Sequence, residues 1–465
     1  MLTVAILANQ FPTPVEPYVG EEIAALRQRG ISVVAGSVRR ATTPEASALA
    51  AKCPADLVVL QRPRIPVLMR ALFLCLRRCR RISPLLARVV FRGHESPLQR
   101  VKALLHTWLG ACLAVLLEQR GANHVHVHHG YFGSWIAMTA ARLLNIGFSV
   151  TLHGSDLLLH ETYLDVKLKH CTLCFTVSEY NRSYILERYP AVDAQKVVVW
   201  RMGTEVRSEH IDWPPENRTI PTAKFTLLAV GRLHPVKDHA FLVRACAELR
   251  THGFEFECSI AGDGPERCRL ESLIRRYALE DRVTLLGYVP RAQMDSLYDR
   301  ADVVVLTSRS EGIPLTLMEA MARGKIVLAP AITGIPELVI PGNTGFLYEP
   351  GSLDDFVVRL LFIRSLIHAR PDGFDSSLRL VARQLDWVRH AARVHVRHNF
   401  NRKKNLESFC DFFIRRITPQ TESLLHENSV LQQIQLPFQR HRDLPVRTDG
   451  IDALARPQSG AVCNG

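Results

Sequence analysis

Two glutamates stand eight residues apart in the stretch SRSEGIPLTLMEAMARGKIVLA, residues 308–329. The strand-like run ADVVVLTS precedes them, and Pro314 suits the first position of a helix, where its missing N–H is not needed. Glu311 is therefore expected in a loop, and Glu319 about a turn and a half into the helix. A helix start attracts anions, so carboxylates beside it indicate a ligand that carries hydroxyls as well as phosphates. A sugar nucleotide has that layout.

The basic residues needed to neutralise a diphosphate lie upstream, in the stretch VGRLHPVKDH. Arg232 and Lys237 stand five residues apart there, in a loop between a predicted strand and a predicted helix. In that position both could stabilise a departing pyrophosphate. An Arg and a Lys in an isolated loop would be interpreted as surface charges, and the two glutamates make this pair a candidate site.

Histidines and cysteines are the other residues whose chemistry could include a metal. The alternating histidines of residues 124–129, HVHVHH, fit a strand that lines a cleft, and no carboxylate or Cys ligand pattern accompanies them. Cys171 and Cys174 form a C-x-x-C without a second ligand pair. The eleven cysteines are scattered, which is typical of reduced thiols in a cytosolic protein. We expect no metal and no other cofactor.

The net charge of +13 is concentrated in one stretch of the chain. From Arg62 to Lys102 there are ten Arg and one Lys against a single acid, Glu95, with Leu, Phe, Val and Met interleaved. Basic amphipathic helices of this composition bind anionic membrane surfaces, although a solvated helix face has the same pattern. Few aromatic residues and no nucleic-acid signature accompany the charge, which argues against nucleic acid. The uncharged run 103–117 is shorter than the ~20 residues that span a bilayer, and predicts a buried or interfacial helix.

Strand-like apolar runs alternate with helical patterns along most of the chain, which predicts an α/β fold with parallel sheets. The pattern breaks at residues 208–222, where three prolines indicate a linker between domains 1–207 and 223–384. Helices at about 385–417 are expected to pack back on the first domain, and residues 418–465 to form a flexible tail. The start, MLTVAILANQFPTP, is typical of a first strand and not of an export signal. Ligands of such sheets bind beyond the carboxyl ends of the strands, so the site is expected in the loops that follow them.

Several segments of the chain resemble a known family. In the second half, GRLHPVKD, AGDGPER, GYV, SEGIPLTLMEAMARGKIVLA and GIPELVIPGNTGFL resemble, in order and spacing, the donor-binding half of the retaining glycosyltransferases of family 4, which have the GT-B fold. In the first half, VHHGYFGSWIA, FSVTLHGSD, VSEYNRSYI and RMGTE resemble bacterial members that act in exopolysaccharide and lipopolysaccharide assembly, such as colanic acid glycosyltransferases. The resemblance covers roughly residues 2–409 and implies two Rossmann-like parallel-sheet domains facing across a cleft.

The resemblance implies a role for each matching residue. Arg232 and Lys237 would bind the donor diphosphate, and Glu319 the ribose hydroxyls. Glu311 would meet the hydroxyls of the donor sugar. His153, in the segment LHGSD, would face the anomeric region from the first domain. The expected catalytic residues are therefore His153, Arg232, Lys237 and Glu311.

The remaining donor-binding residues of the resemblance lie in short loops. Gly262 and Gly264 of AGDGPER allow a close backbone approach, although G-x-G alone is not specific and no third Gly completes a dinucleotide fingerprint. Tyr288 would border the base. The backbone beside Glu311 would assist it, through Gly312, Ile313, Pro314 and Leu315.

The resemblance also implies the reaction and its partners. A sugar would pass from a UDP- or GDP-sugar to a glycan or a lipid-linked acceptor, with retention of anomeric configuration by front-face attack and without a divalent metal. The product would be a cell-surface polysaccharide, assembled in the cytoplasm at the inner face of the cell membrane.

The chain departs from the family's pattern on the acceptor side. It has PVEPYVGEE where members often have Ser-Glu-Thr-Phe after the first proline, and RMGTE where Met-Gly-Val-Asp is common. Two other functions stay open. A non-hydrolysing sugar-nucleotide epimerase shares the fold and the donor pocket but needs no acceptor. A basic protein that binds nucleic acid or a membrane would explain the charge, but leaves the two glutamates without a purpose.

Overall fold

The computed structural model describes residues 2–13, 16–40, 57–92, 95–159, 161–206, 224–368 and 376–418. Two groups of strands form its two sheets. The strands of the first sheet are β1 (Thr3–Gln10), β2 (Ser32–Arg39), β3 (Val58–Val59), β4 (His124–His128), β5 (Gly147–Leu152), β6 (Leu173–Thr176) and β7 (Val197–Val199). They are arranged in the order β3-β2-β1-β4-β5-β6-β7.

The second sheet is built from the second half of the chain. Its strands are β8 (Phe225–Val230), β9 (Phe256–Ala261), β10 (Val283–Gly287), β11 (Val303–Val305), β12 (Ile326–Pro330) and β13 (Phe346–Tyr348). Their order is β10-β9-β8-β11-β12-β13. The strands of both sheets pair in parallel. The predicted α/β class with two parallel-sheet domains is therefore confirmed.

Helices connect the strands of each sheet, as parallel pairing requires. Those of the first half are α1 (Pro17–Gln28), α2 (Ile65–Arg77), α3 (Cys79–Phe91), α4 (Pro97–Glu118), α5 (Phe132–Leu144), α6 (Ser155–Leu158), α7 (Leu164–His170) and α8 (Glu179–Arg188). Those of the second half are α9 (His239–Thr251), α10 (Arg267–Arg276), α11 (Arg291–Arg300), α12 (Leu315–Ala322), α13 (Ile335–Leu338) and α14 (Leu353–His368). Two long helices end the described chain, α15 (Ser376–Asn399) and α16 (Arg402–Ile417).

Each sheet is buried on both faces, because helices cover both. One core of the first domain includes Leu113 and Trp135, and the other includes Ile23 and Phe175. The second domain likewise has two cores of its own. Separate cores are what divides the chain into two domains.

The last two helices lie on different domains. In α16, the side chains of Phe409, Cys410, Phe412 and Phe413 complete the core beneath α1. In α15, the apolar residues instead join the cores of the second domain, and they are Leu385, Val388, Ala392 and Val396. The expectation that residues 385–417 pack on the first domain is wrong for residues 385–399. The chain returns to the first domain only after Phe400. There the backbone of Asn401 forms an isolated parallel β-bridge with that of Thr204.

Helix α4 carries the apolar run that follows the basic stretch. Among the described residues it is the helix long and apolar enough to cross a membrane, and half of that stretch is buried in the protein. Ala111 to Val115 are buried in the first core, which agrees with the predicted buried or interfacial helix. The expected linker, 208–222, and the expected tail beyond residue 418 lie outside the described residues.

Candidate active site

The candidate residues of the second domain lie in loops at the carboxyl ends of its strands. Arg232 and Lys237 follow β8, Gly262 and Gly264 follow β9, and Glu311 follows β11. Strands β9, β8 and β11 are neighbours in the sheet, so the three loops open at one edge. This edge is where parallel α/β sheets bind their ligands.

The loop after β11 brings Glu311 to Lys237. Nζ of Lys237 lies 2.5 Å from Oε1 of Glu311, and the Ser308 hydroxyl donates to the same oxygen at 2.6 Å. The two charged side chains are only 20% and 11% exposed, so solvent screens their attraction incompletely. The Thr333 hydroxyl donates to the backbone carbonyl of Glu311 at 2.7 Å and holds the loop. An acid and a base from separate motifs thus form one ion pair.

Arg232 is exposed and acts on charges of the first domain. Burial raises the pKa of Glu16, but the hydrogen bond and charge of His129, helped by the charge of Arg232, hold that pKa below its ordinary value. Arg232 also acts on the phenol of Tyr131. The guanidinium is therefore near enough to the first domain for its charge to act there.

The two glycines of AGDGPER let the loop after β9 pack closely against the loop after β8. Gly262 and Gly264 have φ angles of +144° and +158°, which L side chains rarely adopt. A Cβ on Gly262 would lie 1.9 Å from the carbonyl oxygen of Gly231, and one on Gly264 would lie 2.5 Å from that of Leu233. The close backbone approach expected at these glycines is therefore made by the loop that carries Arg232.

Glu319 lies in α12 and is held by a buried tyrosine. The Tyr298 hydroxyl donates to Oε2 of Glu319 at 2.8 Å. Burial, with the charge of Glu319, raises the pKa of Tyr298 well above its ordinary value, so the phenol stays a donor. Helix α12 begins at Leu315, one residue later than predicted, with Pro314 in an extended conformation before it.

Tyr288 follows β10, the edge strand beside β9. Its side chain is 63% exposed. It lies at the surface next to the loop of Gly262, whose N–H donates to the carbonyl of Gly287 at 2.8 Å. The ring is thus accessible to a ligand at the rim of the second sheet.

In the first domain, His153 follows β5 and is positioned by Asp156. The backbone N–H groups of His153 and Gly154 donate to Oδ1 of Asp156 at 3.0 and 2.8 Å, and that of Gly130 donates to Oδ2 at 2.8 Å. Burial raises the pKa of Asp156, but the hydrogen bond and charge of His129 outweigh it and lower the pKa well below its usual range. Burial and the charge of His129 also lower the pKa of His153 well below 6.5, so its ring is neutral.

His129 connects this carboxylate to a second one. Its Nε2 lies 2.9 Å from Oε1 of Glu16, and its Nδ1 lies 3.7 Å from Oδ2 of Asp156. Burial lowers the pKa of His129, but the two carboxylates raise it to about 9. The imidazolium is therefore charged at neutral pH and is balanced by two acids.

The two domains touch at the backbone of their site loops. A Cβ on Gly312 would lie 1.9 Å from the carbonyl oxygen of His153, and one on Gly154 would lie 2.7 Å from the Gly312 nitrogen. No side chain fits between these segments. The contact places His153 directly beside the loop of Glu311.

A second contact joins the domains through Glu337. Its carboxylate accepts hydrogen bonds from the N–H groups of Glu179 and Tyr180 at the start of α8, at 3.0 and 2.8 Å. Arg201 donates to the same carboxylate at 3.0 Å. A carboxylate at a helix start is stabilised by the free N–H groups and the helix dipole.

Comparison with known families assigns both halves of the chain. Residues 214–366 match the model of glycosyl transferases group 1, and residues 15–207 match that of glycosyltransferase family 4. The chain belongs to glycosyltransferase family 4. The family expected from the sequence is thereby confirmed.

The relatives of this family 4 chain include two named for polysaccharide synthesis. The putative colanic acid biosynthesis glycosyltransferase WcaL of Escherichia coli is 32% identical, over 45% of this chain and 48% of its own length. The amylovoran biosynthesis glycosyltransferase AmsK of Erwinia amylovora is 33% identical, over 54% of this chain and 64% of its own length. The chain thus matches about half to two thirds of the length of these relatives.

Two solved structures share the fold. Anabaena HepE in complex with UDP and glucose superposes with a TM-score of 0.62 at 17% identity, over 89% of this chain and 100% of HepE. The sucrose-phosphate synthase of Thermosynechococcus elongatus has a TM-score of 0.63 at 16% identity, over 89% of this chain and 99% of its own. The expected GT-B fold is therefore confirmed.

Within this GT-B fold, the structure unites some of the predicted residues and adds others. Lys237, Glu311 and His153 come together, whereas Glu319 is anchored separately, on Tyr298. Four residues of the site were not expected from the sequence, namely Asp156, Glu16, Tyr298 and Glu337. Asp156 stands in the segment LHGSD and Glu16 in the divergent PVEPYVGEE, so a signal existed for both.

Proposed function

We propose that this family 4 chain moves a sugar from a nucleotide-sugar donor to a glycan or lipid-linked acceptor, with retention of configuration, in the assembly of a cell-surface polysaccharide. The observation that carries the proposal is the domain contact, which sets His153 against the loop of the Lys237–Glu311 pair. Relatives named for colanic acid and amylovoran biosynthesis support a polysaccharide product, and HepE with bound UDP and glucose supports a UDP- or GDP-sugar donor.

In the proposed reaction, the main task of the protein is to stabilise the departing nucleoside diphosphate. Arg232 and Lys237 supply positive charge at the edge of the second sheet, and the free N–H groups at the start of α12 add to it. Lys237 is already paired with Glu311, so its ammonium is fixed before the donor arrives. With these cations in place, the proposed mechanism uses no divalent metal.

The two glutamates would recognise hydroxyls at different ends of the donor. Glu311, beside the domain contact, would accept hydrogen bonds from the sugar. Glu319, about one turn into α12 and anchored on Tyr298, would accept them from the ribose. The backbone of Gly312 to Leu315 would line the path between them.

His153 would face the anomeric carbon through its ring. Its carbonyl oxygen packs against the backbone of Gly312 and fixes the residue beside the loop of Glu311. Its neutral ring lies 3.4 Å from His128, measured from Nε2 to Nδ1, and is held on the first-domain side. Front-face attack by the acceptor would then occur on the side from which the diphosphate leaves.

A membrane surface is part of the proposal, because the basic helices also expose apolar side chains. Of seventeen exposed large hydrophobic residues in the described chain, eleven lie on α2–α4. They are Ile65, Met69, Leu72, Phe73, Leu76, Val90, Phe91, Leu98, Val101, Leu104 and Leu105. We call these residues, with the exposed basic residues among them, the α2–α4 surface.

Only part of the basic charge of the α2–α4 surface faces outward. Arg78 and Arg81 donate to the carbonyl of Leu143, and Arg88 is bound by Glu95. The exposed basic residues are Arg62, Arg64, Arg70, Arg77, Arg80, Arg92 and Lys102. Exposed cations among exposed apolar groups suit an anionic bilayer, and we propose that the protein works in the cytoplasm, on the inner face of the cell membrane.

The donor assignment is tested by removing its two cations. Arg232→Ala and Lys237→Ala should each lower turnover of the nucleotide sugar by the equivalent of about 2–4 kcal/mol, because each deletes a preorganised charge. Arg276→Ala, at an exposed position on α10, is the control and should leave turnover unchanged. If folded Arg232→Ala and Lys237→Ala proteins turn over the donor at the wild-type rate, these residues do not bind the donor diphosphate.

A further inference from the structure

A buried carboxylate and two imidazoles meet on the inner side of α1. Glu22 of α1 faces His126 and His128 of β4, and all three residues are buried. Nε2 of His128 lies 3.3 Å from Oε2 of Glu22, and Nε2 of His126 lies 3.7 Å from Oε1. The three ligand atoms lie within 4.8 Å of one another. The sequence pattern lacked a carboxylate beside these histidines, and the fold supplies one from about a hundred residues away.

The spacing of these atoms fits a metal ion. Nitrogen and oxygen ligands of zinc lie about 2.0–2.2 Å from the ion, so two ligands at a tetrahedral angle are about 3.3 Å apart. The separation of 3.3 Å equals that distance, and the separation of 3.7 Å is slightly longer. The Thr151 hydroxyl lies 3.1 Å from Nε2 of His126 and borders the same space.

Hydrogen bonds on the far side of each ring direct the Nε2 lone pairs toward Glu22. Nδ1 of His126 lies 2.8 Å from the Ser149 hydroxyl, which in turn lies 2.7 Å from Nε2 of His124. Nδ1 of His128 lies 3.4 Å from Nε2 of His153. Metal-bound histidines commonly donate their other ring N–H in this way, which fixes the tautomer and the ring orientation.

The polar atoms of the cluster are otherwise poorly satisfied. Oε1 of Glu22 and Nε2 of His128 are buried without a hydrogen-bond partner among the described residues. The rings of Phe175, Phe409 and Phe413 pack around His126. A carboxylate in apolar surroundings is costly unless a cation or donors compensate it. A divalent ion would satisfy both orphan atoms at once.

We propose that Glu22, His126 and His128 bind one divalent transition-metal ion of the zinc type. Imidazole and carboxylate ligands suit zinc better than calcium or magnesium, which prefer all-oxygen sites. The ion would tie α1 to β4 and hold the Nδ1 proton of His128 against His153. It is a structural and positioning site on the first domain, separate from the donor diphosphate, which the proposed reaction binds without a metal.

The metal content of the purified full-length protein tests this proposal. The chain, carrying a tag without histidines, is produced in medium supplied with zinc or with cobalt, and metal per chain is measured by mass spectrometry after dialysis. We expect about one ion per chain. Glu22→Gln and His126→Asn should reduce the content at least tenfold, since each removes one of three ligands. His239→Asn, at a buried histidine of the second domain, is the matched control and should keep the ion.

A second readout does not depend on the variants folding. The cobalt-loaded wild-type protein should show the visible absorption bands of a four-coordinate site. Wild-type protein refolded from denaturant in the presence of zinc should have a higher melting temperature than the same protein refolded in the presence of a chelator. A folded wild-type protein without stoichiometric metal would overturn the proposal. So would full metal retention in Glu22→Gln and His126→Asn, which would place the ion elsewhere.

Discussion

Glu311 and Glu319 are close in sequence, but their surroundings differ. Glu311 forms an ion pair with Lys237 and accepts from Ser308, at the contact with the first domain. Glu319 accepts from a neutral phenol, that of Tyr298, on the other side of the start of α12. Different partners mean that the two carboxylates should contribute to different steps.

The first prediction separates the two glutamates by calorimetry with nucleoside diphosphate and with intact donor. Glu319→Ala should weaken both ligands by about 1–3 kcal/mol, because the ribose is present in both. Glu311→Ala should leave nucleoside diphosphate binding nearly unchanged and depress turnover, because only the donor carries the sugar. Glu319→Gln, which keeps an acceptor for Tyr298, controls for damage to the fold. Equal loss of nucleoside diphosphate affinity in both Ala variants would show that the roles assigned to Glu311 and Glu319 are wrong.

The second prediction concerns His129 and pH. Its pKa is raised from 6.5 to about 9 in the folded protein, so its contribution to stability is complete below pH 6.5 and is lost as pH rises to about 9. That contribution is on the order of 3 kcal/mol at most. Its φ of +71° suits Asn, so His129→Asn tests the charge with little backbone strain.

The measurement is the free energy of unfolding of both proteins between pH 6 and 9.5. The difference between wild type and His129→Asn should be largest at pH 6 and shrink toward pH 9.5. Groups that do not interact with His129 contribute equally to both proteins and cancel in the comparison. A difference that stays constant across this range would show that folding does not raise the pKa of His129.

For single residues, the sequence identifies those in local motifs and misses those whose partners are far away along the chain. Lys237 and Glu311 each carry a recognisable loop pattern, so their meeting was foreseeable. His129 and Glu16 are 113 residues apart in the sequence. Glu22 is about a hundred residues from the two histidines that it faces, His126 and His128. Such pairs depend on the register of α1 against β4, which packing decides.

At the scale of helices, α2, α3 and α4 combine two tasks. Their buried residues, such as Ala71, Leu85 and Val89, complete the core over the first sheet. Their outer side carries the α2–α4 surface. The amphipathic pattern predicted these helices from the sequence. It could not show that Arg78, Arg81 and Arg88 are used internally, because that depends on where the partner carbonyls and acids lie.

The third prediction is that the α2–α4 surface binds anionic liposomes. Arg70, Arg77, Arg80 and Arg92 are exposed, and changing all four to Glu should abolish sedimentation with vesicles that contain anionic lipid at low salt. Binding of the wild type should weaken as ionic strength rises. The charge-matched control changes four exposed basic residues elsewhere to Glu, namely Arg276, Arg300, Lys403 and Lys404. Equal binding by the two variants would show that the surface is only a solvated helix face.

The position of α15 marks the limit of the sequence at this scale. Its apolar residues recur every three or four positions, as on any amphipathic helix. That period shows which face is buried but not which domain buries it. Only the cores that receive Leu385 and Val396 decide the question.

At the scale of the whole molecule, the alternation of strands and helices predicted two parallel-sheet domains, and the structure confirms them. How the domains meet did not follow from the pattern. The backbone contact of His153 with Gly312 and the carboxylate of Glu337 at α8 hold the site loops of both halves together. Sugar transfer is the central claim because it needs both halves.

Real-time proton and phosphorus NMR with a panel of UDP- and GDP-sugars tests that claim most directly, with Lys237→Met as the inactive comparison. With acceptor glycolipid present, we expect one donor to release its nucleoside diphosphate while the sugar appears in a product of unchanged anomeric configuration. Lys237→Met should lower this rate by the equivalent of about 2–4 kcal/mol. Conversion of the donor to its epimer without release of diphosphate, or a product of inverted configuration, would contradict sugar transfer with retention.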